Sequence, residues 1–169
     1  MISDLRIGFG VDYHQIQKGN SMILGGVDID CGYSIIAHSD GDIILHSICD
    51  ALLGAASMGD LGTVFTEDES TENISSSVLL NQVLHLISKG SYQIVNLDIT
   101  YVGEVPRISK YREKILSNLS KLMNLNEEFL SIKSTTTDKL GAIGNREGIA
   151  CYCSCLLYTS DAADDEERG

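Results

Sequence analysis

Hydrophobic positions mark out the elements of this chain. Ile44, Ile48, Leu52 and Ala55 recur at near-helical spacing and predict a helix over 40–57, with Ser39 or Asp40 placed to cap its start. Ile108, Tyr111, Ile115, Leu119 and Leu122 share one face of a helix predicted over 109–123, and a further helix is expected over 75–89. Strands are expected over 6–13, over 22–24 with 27–29, and over 93–102, 131–135 and 149–157. The order predicts an α+β fold: a mixed β-sheet with helices packed on one face, the other face being left for burial by oligomerisation.

Chemistry concentrates at a few points of this pattern. In Gly8-Phe9-Gly10-Val11-Asp12-Tyr13-His14 the carboxylate and the imidazole stand two residues apart, so an extended backbone puts both on one face. His46 would come from the first predicted helix. Two His and one Asp leave one position of a tetrahedral zinc open, the arrangement of a catalytic rather than a structural site. In helical register Asp42, His46 and Asp50 fall four apart on one polar face. The two carboxylates there read either as groups that orient the imidazole or as an ordinary solvated face.

Thr135, Thr136, Thr137, Asp138 and Lys139 lie next to a Gly-bearing stretch and offer hydroxyls, amides, a carboxylate and an ammonium, a set suited to phosphate and metal. The same threonines read equally as a strand end. Pro106, the only proline of the chain, stands between a strand-like run and a helix, and Arg107 after it is either a phosphate clamp or a surface charge.

Composition narrows the classes. The 169 residues, 43% of them hydrophobic, suffice for one globular domain with a buried core. A formal charge of -12 argues against nucleic acid, which rewards clustered Lys and Arg. It also opposes an anionic substrate at long range, so metals and a few cations must reverse the sign locally. No apolar run reaches membrane-spanning length and no basic, apolar leader precedes Arg6, so a cytoplasmic protein without membrane contact is expected. Cys31, Cys49, Cys151, Cys153 and Cys155 lack a Cys-x-x-Cys pair, and the last three alternate along one strand face. All five are read as reduced, mostly buried thiols rather than metal ligands.

Taken together, the blocks Arg6 to His14, Ala37 to Asp42, His46 with Asp50 to Ala56, Gly59 to Gly62, Thr135 to Thr137 and Glu147 to Ala150 resemble the 2-C-methyl-D-erythritol 2,4-cyclodiphosphate synthase family. The match runs in order from about Arg6 to about Tyr152. The resemblance implies a cyclising, CMP-releasing phosphorus-oxygen lyase of non-mevalonate isoprenoid biosynthesis. Its substrate would be 4-diphosphocytidyl-2-C-methyl-D-erythritol 2-phosphate, whose 2-phosphate attacks the β-phosphorus, expels CMP and closes a cyclic diphosphate. It further implies zinc on Asp12, His14 and His46, and Mg2+ or Mn2+ on Asp138. His38 and Thr136 would be catalytic, stabilising the transition state. Substrate contacts would come from Asp12, His14, His38 and Ser39, with Asp60 and Gly62 at the ribose beside Leu61 and Phe65. Gly103, Pro106, Arg107, Ile108 and Ser109 would take cytosine and diphosphate from a neighbouring subunit of a homotrimer with interfacial sites. Thr135, Thr136, Thr137, Asp138 and Ala142 complete the implied set.

The chain departs from the family pattern in places. Phe65 to Ser70 lacks two customary prolines, Asp138 stands for a Glu, Arg107 for a Lys, and Arg146 sits one place later than the usual Arg. Residues 1–157 are expected to form the single cyclodiphosphate synthase domain. Residues 158–169 are expected to be an acidic tail, since five acids crowd into the last nine residues. That end reads either as a solvated, disordered segment or, from Leu156, as translated adapter sequence in place of a native strand end.

Overall fold

The structure, a computed structural model, describes residues 4–65 and 74–159. Strand β1 (Leu5–Lys18) leads into the hairpin β2 (Ser21–Leu24) and β3 (Val27–Asp30), then β4 (Tyr33–Ile35). Helices α1 (Ile43–Ala55), α2 (Leu61–Val64) and α3 (Ser76–Lys89) precede β5 (Tyr92–Val102). Helix α4 (Arg112–Met123), β6 (Leu130–Thr135), the single-turn α5 (Gly141–Gly144) and β7 (Gly148–Thr159) complete the order. Five strands form one mixed sheet in the order β4-β1-β7-β5-β6, antiparallel except for the parallel pair β5 and β6. The α+β class and the mixed sheet agree with the sequence reading. β4 was not expected, and β1 runs on past His14, so Asp12 and His14 both lie within one paired strand.

Alternation along the strands separates two faces. Gly8 and Gly10 of β1, Leu97, Ile99 and Tyr101 of β5, and Cys151, Cys153 and Cys155 of β7 are buried, with α1 packed against β1 and β7. The intervening Ile7, Phe9 and Tyr13 are 79%, 63% and 59% exposed, so the opposite face carries apolar side chains left uncovered by the described residues. Helix α3 buries Leu80, Val83 and Ile87; of the stripe predicted for α4, Ile115 and Leu119 are buried, Tyr111 and Leu122 partly so, Ile108 is buried just ahead of the helix, and Met123 joins them.

Two local devices place α1. A Cβ at Gly8 would stand 1.8 Å from the Ala51 carbonyl oxygen, and one at Gly10 would stand 2.0 Å from that of Ser47. The Gly-x-Gly of β1 therefore lets the helix backbone lie directly on the strand. The start of α1 is fixed by Asp42, whose Oδ1 accepts the N–H groups of Ile44 and Leu45, both at 3.1 Å. The same carboxylate accepts Gly25 N–H at 2.9 Å and Gly26 N–H at 2.6 Å. Those two glycines form the β2–β3 turn with φ of 60° and 73°, values that a two-residue hairpin of this kind requires. Asp42 is thus fully buried, not the solvated carboxylate that its spacing allowed, and its oxygens are taken up by backbone N–H groups. The cap is Asp42 rather than Ser39 or Asp40, and the helix begins correspondingly later.

Strand β7 pairs with both β1 and β5 up to its last residues, with Tyr158 opposite Leu5 and Thr159 opposite Tyr92. The acidic tail was expected from residue 158, but Tyr158 and Thr159 are held in β7 by this pairing; the rest of it, residues 160–169, lies outside the described residues, as do Thr66 to Ser70 of the altered loop. No helix among the described residues is long and apolar enough to cross a membrane.

Candidate active site

Close packing of α1 on β1 brings three side chains together. Asp12 and His14 project from one face of β1, and His46 comes down onto them from the first turn of α1. His46 Nδ1 lies 3.0 Å from Asp12 Oδ2 and 3.4 Å from His14 Nε2, and His14 Nε2 lies 3.3 Å from the same Asp12 oxygen. The other Asp12 oxygen accepts the Tyr13 N–H at 2.9 Å, which leaves Oδ2 turned to the imidazoles. Ligand atoms about 2.0–2.1 Å from a tetrahedral zinc stand roughly 3.3–3.4 Å from one another, so these three atoms already have the spacing of three corners of such a site. Among the described residues this is the one group of three such donors close enough to hold an ion.

The electrostatics separate the two imidazoles. Burial lowers the pKa of His14; Asp12 partly offsets this and His46 adds to it. Burial also acts downward on His46, but the Asp12 hydrogen bond and charge, with Asp42 and Asp40 behind it, raise its pKa overall. The far side of the His46 ring is held as well. Nε2 lies 2.8 Å from the Ser76 hydroxyl, and that hydroxyl is hydrogen-bonded to Asp40, which also accepts the Ser76 N–H at 2.9 Å. Ser76 was not singled out in the sequence, where Ser75 to Ser77 reads only as a helix start.

Several further residues of the sequence reading lie on segments tied to β1 or α1. Exposed His38 and half-buried Ser39 lie in the segment between β4 and α1, which is tied to β1 where Ile36 N–H donates to the Gln15 carbonyl at 2.9 Å. Asp50, one turn beyond His46 on α1, accepts the Leu61 N–H at 2.9 Å. This tethers α2 to the helix that carries His46. Asp60 caps α2, and Phe65 is partly buried against the core. Hydrogen bonds from Thr63 hold the exposed Asp60 carboxyl below its ordinary pKa.

The second block lies elsewhere in the chain. Across the sheet Asp12 is level with Cys151, Cys151 with Tyr101, and Tyr101 with Ser134. At about 4.8 Å per strand step, β6 lies roughly 14 Å from β1. The segments leaving β5 and β6 adjoin one another: Gly103 N–H donates to the Thr135 carbonyl at 3.0 Å and Lys139 N–H to Glu104 Oε1 at 3.4 Å. Buried Tyr101 donates its hydroxyl to the Val105 carbonyl at 2.6 Å, holding the loop in which Gly103, Pro106 and Ile108 are buried while Arg107 and Ser109 are exposed. Thr135, Thr136, Asp138 and Ala142 are exposed. Asp138 and Lys139 have φ of 54° and 63°, two successive non-glycine residues in the left-handed region, a strained turn of the kind found where a loop presents ligand contacts. The residues singled out in the sequence thus fall into two groups along the chain, Asp12, His14, His38, Ser39, His46 and 60–65 in one and 103–109 with 135–142 in the other.

The cysteines stay outside both groups. Burial pushes the Cys151 thiol up to about 12 and that of Cys155 to about 11, so neither supplies a thiolate ligand at neutral pH. All five are free thiols and four are buried, Cys151, Cys153 and Cys155 on one face of β7 and Cys49 within α1, in line with the reading of reduced, mostly buried thiols.

The YgbB family model matches residues 5–158 of this chain. A protein of Leptospira interrogans called 2-C-methyl-D-erythritol 2,4-cyclodiphosphate synthase is 43% identical over 155 residues, covering 90% of this chain and 96% of that protein. One of the same name from Buchnera aphidicola is 42% identical over 161 residues, covering 95% and 96% respectively. Among solved structures, that of Plasmodium falciparum IspF in complex with CDP aligns with a TM-score of 0.83 at 39% identity, covering 93% of this chain and 97% of that one.

Proposed function

The chain belongs to the YgbB family of 2-C-methyl-D-erythritol 2,4-cyclodiphosphate synthases, and from that premise we propose how its residues carry out the family's reaction. That reaction is the cyclisation step of non-mevalonate isoprenoid biosynthesis, in which 4-diphosphocytidyl-2-C-methyl-D-erythritol 2-phosphate gives the cyclic diphosphate and CMP. An oxygen of the 2-phosphate bonds to the β-phosphorus as the bond to the CMP oxygen breaks. The nucleophile is already an anion, so no strong general base is needed. What must be overcome is repulsion between phosphates and the alignment of attacking oxygen, phosphorus and leaving oxygen.

The convergence of Asp12, His14 and His46 carries this reading. The three fit zinc by donor type and spacing, and a zinc held by them would keep one coordination position for substrate. Asp138, a single exposed carboxylate, fits Mg2+ or Mn2+ held chiefly by substrate phosphates. Divalent metals at these positions, when bound, neutralise and orient the phosphate oxygens. His38 and Thr136 donate hydrogen bonds to charge developing on the transferring group, and Ser39 and Thr135 with Thr137 hold phosphate oxygens. Asp60 and Gly62, flanked by Leu61 and Phe65, receive the ribose. The loop Gly103 to Ser109, with Arg107 at the diphosphate, and Ala142 near the Thr135 to Asp138 turn complete the pocket.

Because the two groups lie apart in one chain, the working site joins half-sites of two subunits in a homotrimer. The uncovered apolar face of β1 supports this: Ile7, Phe9 and Tyr13 stand exposed, with Phe9 and Tyr13 each packed on Tyr152 at ring-centroid distances of 6.1 Å. Burial of that face between copies accounts for an otherwise unfavourable surface. A cytoplasmic enzyme with a small cytidine substrate is the corresponding reading of its setting. The test is incubation with the diphosphocytidyl substrate, following CMP and cyclic diphosphate together, with and without a chelator. Equal amounts of both products, abolished by the chelator, are expected; CMP without the cyclic product would indicate simple hydrolysis.

A further inference from the structure

His46 is gripped on both sides of its ring, and the two grips differ in kind. Nδ1 faces Asp12 Oδ2 at 3.0 Å and His14 Nε2 at 3.4 Å, whereas Nε2 faces the Ser76 hydroxyl at 2.8 Å. Ser76 is fully buried, and its hydroxyl is in turn bonded to Asp40. A serine has one hydroxyl proton, and the carboxylate of Asp40 can only accept, so that proton is directed to Asp40. The Ser76 oxygen is then left to accept, and the partner that remains for it is Nε2–H of His46. This arrangement stabilises the proton on Nε2 and leaves the Nδ1 lone pair for an ion.

We propose that Asp40 and Ser76 form a positioning relay that fixes the ring orientation of His46 and presents its Nδ1 as the ligand atom of the metal centre. The inference rests on the metal reading given above. The relay is an indirect form of the carboxylate–histidine pair that commonly stands behind metal ligands, with a serine hydroxyl inserted between the two groups. It joins three parts of the chain: Asp40 before α1, His46 within α1, and Ser76 at the first turn of α3. Asp40 also accepts the Ser76 N–H at 2.9 Å, so the hydroxyl's partner is itself anchored to the start of α3. The spacing of Asp42 and Asp50 on α1 made them the candidate orienting groups, but Asp42 is occupied by four backbone N–H groups and Asp50 by that of Leu61. The orienting carboxylate is two residues earlier than the helical register indicates.

The test compares zinc affinity, by competition with a chromogenic chelator, in the wild-type chain and in Ser76→Ala, Ser76→Thr, Asp40→Asn and the double variant Asp40→Asn with Ser76→Ala. Loss of the relay should weaken zinc binding about 10- to 100-fold in Ser76→Ala, the range seen when such outer partners are removed. Ser76→Thr keeps the hydroxyl and should restore affinity. Asp40→Asn should weaken binding on its own yet add little in the Ser76→Ala background, because both changes act through one hydroxyl. In zinc-loaded protein, nitrogen-edited proton spectra should show a downfield, slowly exchanging His46 Nε2–H that survives in Ser76→Thr and is lost in Ser76→Ala. Unchanged affinity in Ser76→Ala, failure of Thr to restore it, or fully additive losses would overturn the relay while leaving the metal centre intact. A wild-type chain that takes up no zinc would contradict the metal reading itself, and the relay with it.

Discussion

His46 Nδ1 lies 3.0 Å from Asp12 Oδ2 although 34 residues separate them in the chain. The contact exists because α1 lies backbone-to-backbone on β1, and that approach depends on the absence of side chains at Gly8 and Gly10. The convergence of Asp12, His14 and His46 is therefore a consequence of helix–strand distance, and a perturbation of that distance should be felt by a metal bound there.

Gly10→Ala tests this coupling without touching a ligand. Its Cβ would stand 2.0 Å from the Ser47 carbonyl oxygen, so α1 must move outward or tilt. Overpacking of this sort costs about 1–3 kcal/mol. Urea denaturation should show that loss, and metal titration should show weakened binding in the fraction that remains folded. Native affinity in a folded Gly10→Ala chain would show that α1 tolerates displacement.

Asp42 sets a pH dependence on stability. Burial raises its pKa from 3.8 to about 6, against the N–H bonds of Gly26, Gly25 and Leu45, and the charge of Asp40 adds to the rise. Below 3.8 the carboxyl is protonated in the folded and unfolded chain alike, and its contribution to stability is complete. As pH rises through about 6 the folded chain must ionise a buried group, and on the order of 3 kcal/mol of that contribution is lost. Asn at this position does not titrate, so metal-free Asp42→Asn should show a flatter stability profile than wild type across this window. It should also be less stable at low pH, since its amide sets a donor against the Gly26 N–H. Parallel profiles in the two proteins would remove Asp42 as the titrating group.

Tyr101 is expected to act on substrate binding through the loop it holds. Tyr101→Phe removes the donor to the Val105 carbonyl, a change of about 1 kcal/mol in stability. The Gly103 to Ser109 segment would then be less well ordered for cytosine and diphosphate. Steady-state kinetics should show a raised KM with kcat little changed. A fall in kcat at constant KM would place Tyr101 in the chemistry rather than in the support of the loop.

Subunit mixing tests the joining of half-sites. Arg107→Ala disables the half-site on the loop after β5, and His46→Ala the one on α1. Each homotrimer should be inactive, while mixed trimers should regain part of the wild-type turnover because some interfaces combine two intact halves. Exchanged trimers with no recovered activity would confine each site to a single chain.

Much of this site was legible in the sequence, for identifiable reasons. The two-residue spacing of Asp12 and His14 survives any change in register as long as the segment is extended, and the stripe that defines α1 places His46 on it. The alternating cysteines were legible in the same way. What escaped depends on contacts between distant segments. Asp42 looks like part of a polar helix face until the Gly25–Gly26 turn is seen to deliver two N–H groups to it. Ser76 lies 30 residues from the His46 ring it meets, and a serine before an apolar helix signals a start in any sequence. Strand β4 has three residues, too few for an alternation to show. The central position of β7, the last strand, follows from pairing with both β1 and β5, which local pattern does not encode.

Titrating metal-free protein with zinc while following CMP release tests whether Asp12, His14 and His46 hold the metal on which cyclisation depends. At saturating Mg2+, release should rise in step with zinc and level off at one equivalent per chain, and His46→Ala should show no rise at stoichiometric zinc. Full CMP release by the metal-free wild-type chain, or stoichiometric zinc uptake with full release by His46→Ala, would show that these three residues do not hold the metal that cyclisation needs.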